Sequence, residues 1–454
     1  PAMTVLLLLV LAQAAAEQTP LLASSTGPVL PLVEARRRAL EGNPDLRVLQ
    51  ARLDQAHELS HKAWSGYLPQ VSVGASWQRN NVGSTLLFPY GSQYPVRDVG
   101  TGANSKLVAE PPMVDVVLQQ RDALGATVKG SQAIIAPSLW ASIDAAYLSE
   151  RAAELNTENS RREILLAVAQ QYLGAVGLKE AISVREAQLR TEQQRERDTR
   201  VRFDAGTVNK ITLLRAQIDR TQAEQDLRRA RYAYASAKSA LAALLDRTPD
   251  FEVETPSEPI VPTNLGLLEE EAPGRRPDVL GARKSVDAAR AGETSYVLSY
   301  LPSIGFSGQY TYSNTTGFTD RHDSWFFAFG ATWTILDGGL REANLREASA
   351  RKREAEAAAR GAEVRARDEV RRALHDLESA QANRVKAEEQ LRLARENGAL
   401  VRTNFEAGVA TYLEQSDAIT AVLNASLQLI NERLNAQLAV LRLERAAGID
   451  DSNP

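Results

Sequence analysis

The sequence predicts a duplicated protein with two unlike parts: very long helices that pack as coiled coils, and short aromatic-faced strands of a membrane β-barrel. Three observations predict it. Arg202-Phe203-Asp204-Ala205-Gly206 returns in the second half as Asn404-Phe405-Glu406-Ala407-Gly408. Tyr67-Leu68-Pro69 and Pro44-Asp45-Leu46 return, at one shared offset, as Tyr300-Leu301-Pro302 and Pro277-Asp278-Val279. Self-similarity at a fixed spacing marks an internal repeat. Third, aromatics are only 6% of the 454 residues, yet the span from Tyr296 to Trp333 holds many of them.

Composition sets the limits. Hydrophobic residues at 44% and charged residues at 24% allow buried seams, while a negative mean hydropathy excludes a helical multi-span membrane protein. A net charge of -4 and a pI near 5.8 argue against nucleic acid as a partner. The chain has no cysteine, which excludes a disulfide, a thiolate metal site and a lipidated N-terminal Cys within it. Leu6 to Leu11 is an apolar run followed by Ala14-Ala15-Ala16. It is too short to span a bilayer and is expected to be a signal peptide over residues 1–16, although no Lys or Arg precedes it.

The first repeat covers residues 17–250. Leu30 to Gly66 reads as helix with a break at Pro44. From Pro69 the period becomes two. Val71, Val73, Ala75 and Trp77 alternate with Gln70, Ser72, Gly74, Ser76 and Gln78, a strand over about 69–82. The Gly-, Ser- and Pro-rich stretch 83–112 reads as a long loop, and a weaker strand covers about 121–135. Pro137 suits a first helical turn, and no proline follows before Phe203. A helix over about 137–203 would be roughly 100 Å long at 1.5 Å per residue. A second helix covers about 208–245.

Pro256, Pro259 and Pro262 punctuate a connection over 251–272, and the second repeat, 273–454, restates the plan. A helix over about 277–300 leads to strands over about 302–314 and 323–336. Ile304, Phe306, Tyr310 and Tyr312 share one face of the first, opposite Ser303, Ser307, Gln309, Thr311 and Ser313. Trp325, Phe327, Phe329, Ala331, Trp333 and Ile335 share one face of the second. Long helices follow over about 338–405 and 410–447. The stretch from Tyr67 to Gly206 is longer than its echo from Tyr300 to Gly408, so the first strand pair carries the longer loop.

A face of Trp, Phe and Tyr opposite Ser, Thr, Gln and Gly is what a lipid-facing, water-lumened barrel needs. The lipid-facing candidates are Phe306, Tyr310, Tyr312, Trp325, Phe327, Phe329 and Trp333. A soluble hairpin could hide such a face on a core, but the neighbouring helices already carry seams of their own. Four strands cannot close a barrel, and open edges are not tolerated in lipid. Two, three or four copies would give eight, twelve or sixteen strands. The helices then lie outside the bilayer, packing laterally and turning at Gly206 and Gly408, where positive φ is useful. One such glycine would read as a simple C-cap. Two copies of Phe-x-Ala-Gly point to an interaction tip formed by Phe203, Ala205, Gly206, Phe405, Ala407 and Gly408.

The order strand pair, long helix, Phe-x-Ala-Gly turn and second helix, occurring twice from about Val29 to Ala447, resembles the outer-membrane efflux proteins of the TolC family. Arg275-Arg276-Pro277-Asp278-Val279 is similar to members serving resistance-nodulation-division pumps. The resemblance implies a trimeric channel-tunnel: a twelve-stranded barrel in the outer membrane joined to an α-helical barrel through the periplasm. It implies an exit duct of a tripartite efflux or type I secretion system, with a periplasmic adaptor and an inner-membrane pump as partners. The family's periplasmic constriction maps onto Glu414 and Asp417, whose three copies would favour cations. The Arg and Asp that latch the family's better-known member are here Ala410 and Thr212, so any latch must use other groups.

Other candidates carry less. His57 and His61 stand four apart on a helix, but no carboxylate or thiol motif accompanies them, and no metal or cofactor is expected. Arg/Glu clusters such as Arg351 to Glu356 read as solvated helix faces. No catalytic motif indicates an enzyme. The alternatives are a periplasmic coiled-coil adaptor, which would need one hairpin rather than two, and a soluble coiled-coil scaffold.

Overall fold

The computed structural model describes residues 27–89, 95–98, 107–109, 112–259, 261–262 and 265–449. The expected signal peptide at 1–16 lies outside the described residues. In chain order the elements are β1 (Val29–Leu30), α1 (Leu32–Gly42), α2 (Pro44–Ser65), β2 (Gln70–Arg79) and β3 (Ser84–Pro89). Next come β4 (Val96–Asp98), β5 (Leu107–Ala109), β6 (Met113–Gln119), β7 (Asp122–Ile135), α3 (Pro137–Asp204) and α4 (Lys210–Leu244). They are followed by β8 (Glu252–Val253), α5 (Leu268–Arg275), α6 (Pro277–Leu298), β9 (Ser303–Ser313), β10 (Asp323–Thr332), α7 (Leu340–Glu406) and α8 (Tyr412–Ala447).

These elements form two compact units, and the units do not follow the two sequence repeats. One draws on Pro1–Gln55, Arg151–Arg283 and Ala357–Pro454; the other on Ala56–Glu150 and Lys284–Glu356. Each takes segments from both repeats, because strands must pair with strands and helices bury their stripes on helices.

The second unit holds an antiparallel four-stranded sheet in the order β10-β9-β7-β2. The pair β7–β9 joins the repeats, with Val128 opposite Tyr310 and Ser131 opposite Ser307. β2 and β10 are the two edges. Two expectations are corrected here. The span 83–112 is not all loop: β3 pairs with β6, Leu86 opposite Val116 and Phe88 opposite Val114, and β4 pairs with β5. Leu86-Leu87-Phe88 and Val114 to Leu118 are β-prone runs set among the turn residues that dominate the composition there. The Phe88 ring meets Phe318 edge-on at 5.8 Å. The last strand ends at Thr332 rather than near 336, so Trp333 lies just past it and its ring nitrogen donates to the Tyr300 carbonyl at 3.0 Å.

The first unit is helical. α3 and α7 continue into it, with 68 and 67 residues in all, and alanine lets its helices approach closely. One core gathers Leu165, Val168, Tyr172 and Val176 of α3 with Leu241 and Leu245 and with Leu30, Phe251 and Val253 around the β1–β8 pair. The buried Tyr172 hydroxyl donates to the Leu30 carbonyl at 2.7 Å and accepts from the Glu254 amide at 3.1 Å. A second core sets Val370 and Leu377 against Ala436, Val440 and Leu443. At Gly177 an added Cβ would lie 2.6 Å from Leu434 Cδ1, so a larger residue there would require the Leu434 side chain to move.

Equivalent buried positions open the Pro-Asp helix of each repeat. Asn43 accepts from the Asp45 and Leu46 amides at 2.8 and 3.2 Å and donates to the Leu244 carbonyl at 2.8 Å. Arg276, its counterpart before the second Pro-Asp pair, donates to the Ala446 carbonyl at 3.4 Å, to Glu369 at 2.6 Å and to both Asp278 oxygens at 3.0 and 2.8 Å. Ala446 is in turn the counterpart of Leu244, at the offset that relates Gly408 to Gly206. The return helices also end alike. Arg247 and Ile449 amides reach back to the Ala242 and Glu444 carbonyls, with Asp246 at φ 49° and Gly448 at φ 73° in the left-handed position.

Candidate functional site

The sheet's two faces differ in chemistry. Cross-strand register places Trp325, Phe327, Phe329 and Ala331 beside Tyr310, Gly308, Phe306 and Ile304. It places Tyr310 and Tyr312 beside Val128 and Ala126, and those beside Val73 and Ala75. Trp77 stands opposite Leu124 and completes the same face. The aromatic side is packed within itself, with Phe306 5.1 Å from Phe329 and 5.8 Å from Phe327 between ring centroids. Gly308 admits Phe327 across its strand, since a Cβ there would meet the ring at 2.7 Å. The other face carries Ser72, Ser76, Thr127, Lys129, Ser131, Ser307, Gln309 and Thr311, with Phe326 its aromatic exception.

Among the described residues nothing covers the apolar face. Val73 is 76% exposed, Trp325 65%, Phe327 69% and Phe329 77%. A contiguous apolar surface of this kind marks a lipid or partner surface. Trp333, expected among the lipid-facing strand residues, sits beyond the strand end and is 64% exposed.

The two Phe-x-Ala-Gly turns are matching helix ends. Gly206 and Gly408 have φ of 74° and 79°. The Gly206 and Thr207 amides donate to the Phe203 and Arg202 carbonyls at 2.9 Å, and Gly408 and Val409 repeat this toward Phe405 and Asn404 at 3.1 and 2.8 Å. Nothing lies within 4 Å of a Cβ built on either glycine, so each is required by its backbone angle and not by crowding. Ala205 and Ala407 are exposed, while Phe203 and Phe405 are half-buried beneath cations: Lys210 Nζ lies 5.4 Å from the Phe203 ring and the Arg202 guanidinium 5.1 Å from the Phe405 ring.

After each turn the next helix is capped at the same spacing. Asn209 accepts from the Thr212 amide at 3.0 Å; its counterpart Thr411 accepts from the Glu414 amide at 3.3 Å. Glu414 closes the second cap, its carboxylate accepting from the Thr411 amide at 2.6 Å and hydroxyl at 2.8 Å. Bonds from the Thr411 backbone and side chain hold the Glu414 carboxyl below the usual range. Asp417 stands one turn further along α8, exposed like Glu414. Three apart, the two acids share one helix face.

The groups that face this turn carry no sequence motif. Arg195 of α3 and Asp219 of α4 meet Tyr412, the first residue of α8. The Arg195 guanidinium stacks 4.4 Å from the Tyr412 ring centroid and binds Glu192 at 2.8 and 3.0 Å; the Tyr412 hydroxyl donates to Asp219 at 2.8 Å. Read from sequence, these four are missed as solvated charge and a stray tyrosine. Elsewhere, His57 is engaged by Glu150, Nδ1 to Oε1 at 2.7 Å, and His61 lies 3.4 Å from Glu58.

Residues 35–247 and 268–449 match the family described as outer membrane efflux protein, one match to each repeat. Among curated relatives, the outer membrane protein TolC of Vibrio cholerae is 23% identical over 435 residues, covering 92% of this chain and 90% of that protein. OprJ of Pseudomonas aeruginosa is 28% identical over 197 residues, 40% of each chain. The crystal structure of the outer membrane protein VceC from Vibrio cholerae shares the fold with a TM-score of 0.72 at 22% identity, over 92% of this chain and 96% of that one.

Proposed function

The chain belongs to the outer membrane efflux protein family, and from that premise we propose that it is the outer-membrane exit duct of an efflux machine. Substrate would pass through it passively, from an inner-membrane pump by way of a periplasmic adaptor, with no chemical step in this chain. The observation that carries this reading is the four-stranded sheet with one continuous apolar face, one polar face and two open edges. No described strand of the chain pairs with those edges, and hydrocarbon leaves no edge unpaired, so other copies would complete them. Three copies give a closed twelve-stranded barrel with the polar face turned to a water-filled lumen, within the range of such barrels.

The long helices, rich in Ala and in paired Arg and Glu, suit a periplasmic α-helical barrel. Glu414 and Asp417 are read as its acidic constriction, and the turns at Phe203–Gly206 and Phe405–Gly408 as the tips that meet the adaptor. A pump of the resistance-nodulation-division type is favoured by the Arg275–Val279 segment. The adaptor reading is not favoured, since the family match extends over both repeats.

Single-channel currents from detergent-purified protein in a planar bilayer test this. Wild type is expected to give small, cation-selective conductance, and Glu414→Ala/Asp417→Ala to weaken that selectivity. Selectivity unmoved by the double variant removes the constriction; silence from folded wild type removes the duct.

A further inference from the structure

The polar face of the four-stranded sheet is lined by hydroxyl, amide and small side chains, with one charge among them. The charged residues of the four strands are Arg79, Asp122, Lys129 and Asp323. Three of these stand in end rows of the sheet, on the apolar side. Arg79 is opposite Asp122 and 3.9 Å from it, while Asp323 is opposite Tyr312 and 3.8 Å from Arg321. Lys129 alone lies inside the sheet, midway along β7 and on the polar face. It is exposed, and among the described residues no carboxylate pairs with it.

The register gives Lys129 particular neighbours. Ser72, Lys129, Gln309 and Phe326 stand opposite one another in turn and form a single cross-strand row. The Gln309 amide donates along its own strand to Thr311 at 2.9 Å. Phe326, the aromatic exception of this face, is 51% exposed, and among the described residues its ring meets no other ring. Two interstrand spacings, roughly 10 Å, separate it from Lys129. One row thus offers both the cation and the aromatic ring of an otherwise neutral, polar lining.

We infer that Lys129 and Phe326 form a binding belt for organic anions that carry an apolar body. The ammonium takes the acidic group and the ring takes the apolar part. The inference rests on the duct reading, which turns the polar face to the lumen and sets three copies about one axis. Such an axis puts the three Lys129 side chains at one height, as a ring of positive charge in a neutral wall, and rings of this sign favour anions. The belt is opposite in sign to Glu414 and Asp417, so the duct carries an anion-favouring and a cation-favouring ring in series. An amphipathic anion gains twice at the belt, from attraction to Lys129 and from removal of apolar surface from water against Phe326. A small anion gains only the first.

The test uses the full-length protein in a planar bilayer and two probes that share a head group, 2-naphthalenesulfonate and methanesulfonate. The first is expected to block wild-type current at a several-fold lower concentration than the second. Lys129→Gln should raise the blocking concentration of 2-naphthalenesulfonate several-fold, and Lys129→Arg should keep it near wild type. Phe326→Ser should weaken block by 2-naphthalenesulfonate and leave methanesulfonate unchanged. In the Glu414→Ala/Asp417→Ala background, reversal potentials should show an anion preference that fades as salt is raised and that Lys129→Gln abolishes. The lack of cysteine in the chain lets added thiols be read without background. A charged methanethiosulfonate should modify Lys129→Cys from water and spare Val128→Cys on the other face. Unchanged block and reversal potentials in Lys129→Gln, in a protein that conducts, overturn the belt and leave the duct standing. Modification of Val128→Cys in place of Lys129→Cys overturns the belt by reversing the faces. Silence from folded wild type removes the duct reading, and the belt with it.

Discussion

The two repeats meet the same local demand with different chemistry. Where the Pro-Asp helix begins, each must satisfy a carbonyl near the end of its own return helix. The first uses Asn43, a neutral amide that also caps its helix. The second uses Arg276, almost fully buried, which recruits Asp278 and Glu369 to balance its charge. The amide stands nearly alone; the guanidinium is the hub of a network that also includes Arg445 on Glu369. A duplicated backbone therefore does not imply duplicated energetics: burying a charge commits several neighbours, and burying an amide commits few.

The largest expected effect breaks the comparison at that pair. Arg276→Ala takes from Asp278, Glu369 and a buried carbonyl the donor they share, leaving Glu369 only its longer contact with Arg445, and is expected to cost about 3 kcal/mol, as for one partner lost from a buried ion pair. Asn43→Ala, losing a cap and one buried bond, should cost about 1–2 kcal/mol. Unfolding of the two variants followed by circular dichroism compares them, and equal losses would mean that the shared backbone, not the charge, sets the cost.

The return-helix ends sharpen the contrast. Gly448 has φ 73°, and a Cβ there would come within 3.0 Å of Arg275 backbone. Gly448→Asp should therefore cost about 1–2 kcal/mol. The reciprocal Asp246→Gly should stay within about 0.5 kcal/mol of neutral, relief of the left-handed strain being offset by extra freedom of the unfolded chain. It also loses the exposed Arg47–Asp246 pair at 3.2 Å. A large effect from Asp246→Gly would show that this pair matters more than its exposure suggests.

The smallest effect is a pH difference between the two caps. Glu414 has its folded value depressed, so its contribution to the α8 cap is present above the ordinary carboxylate range and is lost as pH falls through the depressed value. Asn209 and Thr212 do not titrate there. Amide hydrogen exchange, corrected for its intrinsic pH dependence, should show the first turn of α8 loosening on acidification while that of α4 does not. Equal loosening would assign the response to the tips as a whole.

Much of the fold is legible in the sequence because it rests on period and repetition. The alternation of Trp325, Phe327 and Phe329 and the echo of Gly206 at Gly408 are local signals that need no partner to be read. The capping box at Thr411 and Glu414 is legible too, as a Thr followed three positions later by Glu, yet the charge of Glu414 draws the eye away from its capping role. The segment 84–119 misleads because Gly, Ser and Pro outweigh short apolar runs. Arg195 and Tyr412 cannot be paired from sequence: they belong to different repeats, and their contact exists only once α3 and α8 are packed. The same holds for Arg276 and its partners on α7 and α8.

The open edges of β2 and β10 bear on how such a protein is made. Under the duct reading, the sheet of a newly synthesised chain has hydrogen-bonding groups on both borders that none of its described strands supplies. Entry into lipid then becomes a counting step, with a lone subunit barred by the cost of unpaired backbone until its neighbours arrive. Until that moment the same borders are templates for pairing with any exposed strand. Biogenesis therefore requires either a chaperone that occupies them or an assembly rate that outruns misassociation.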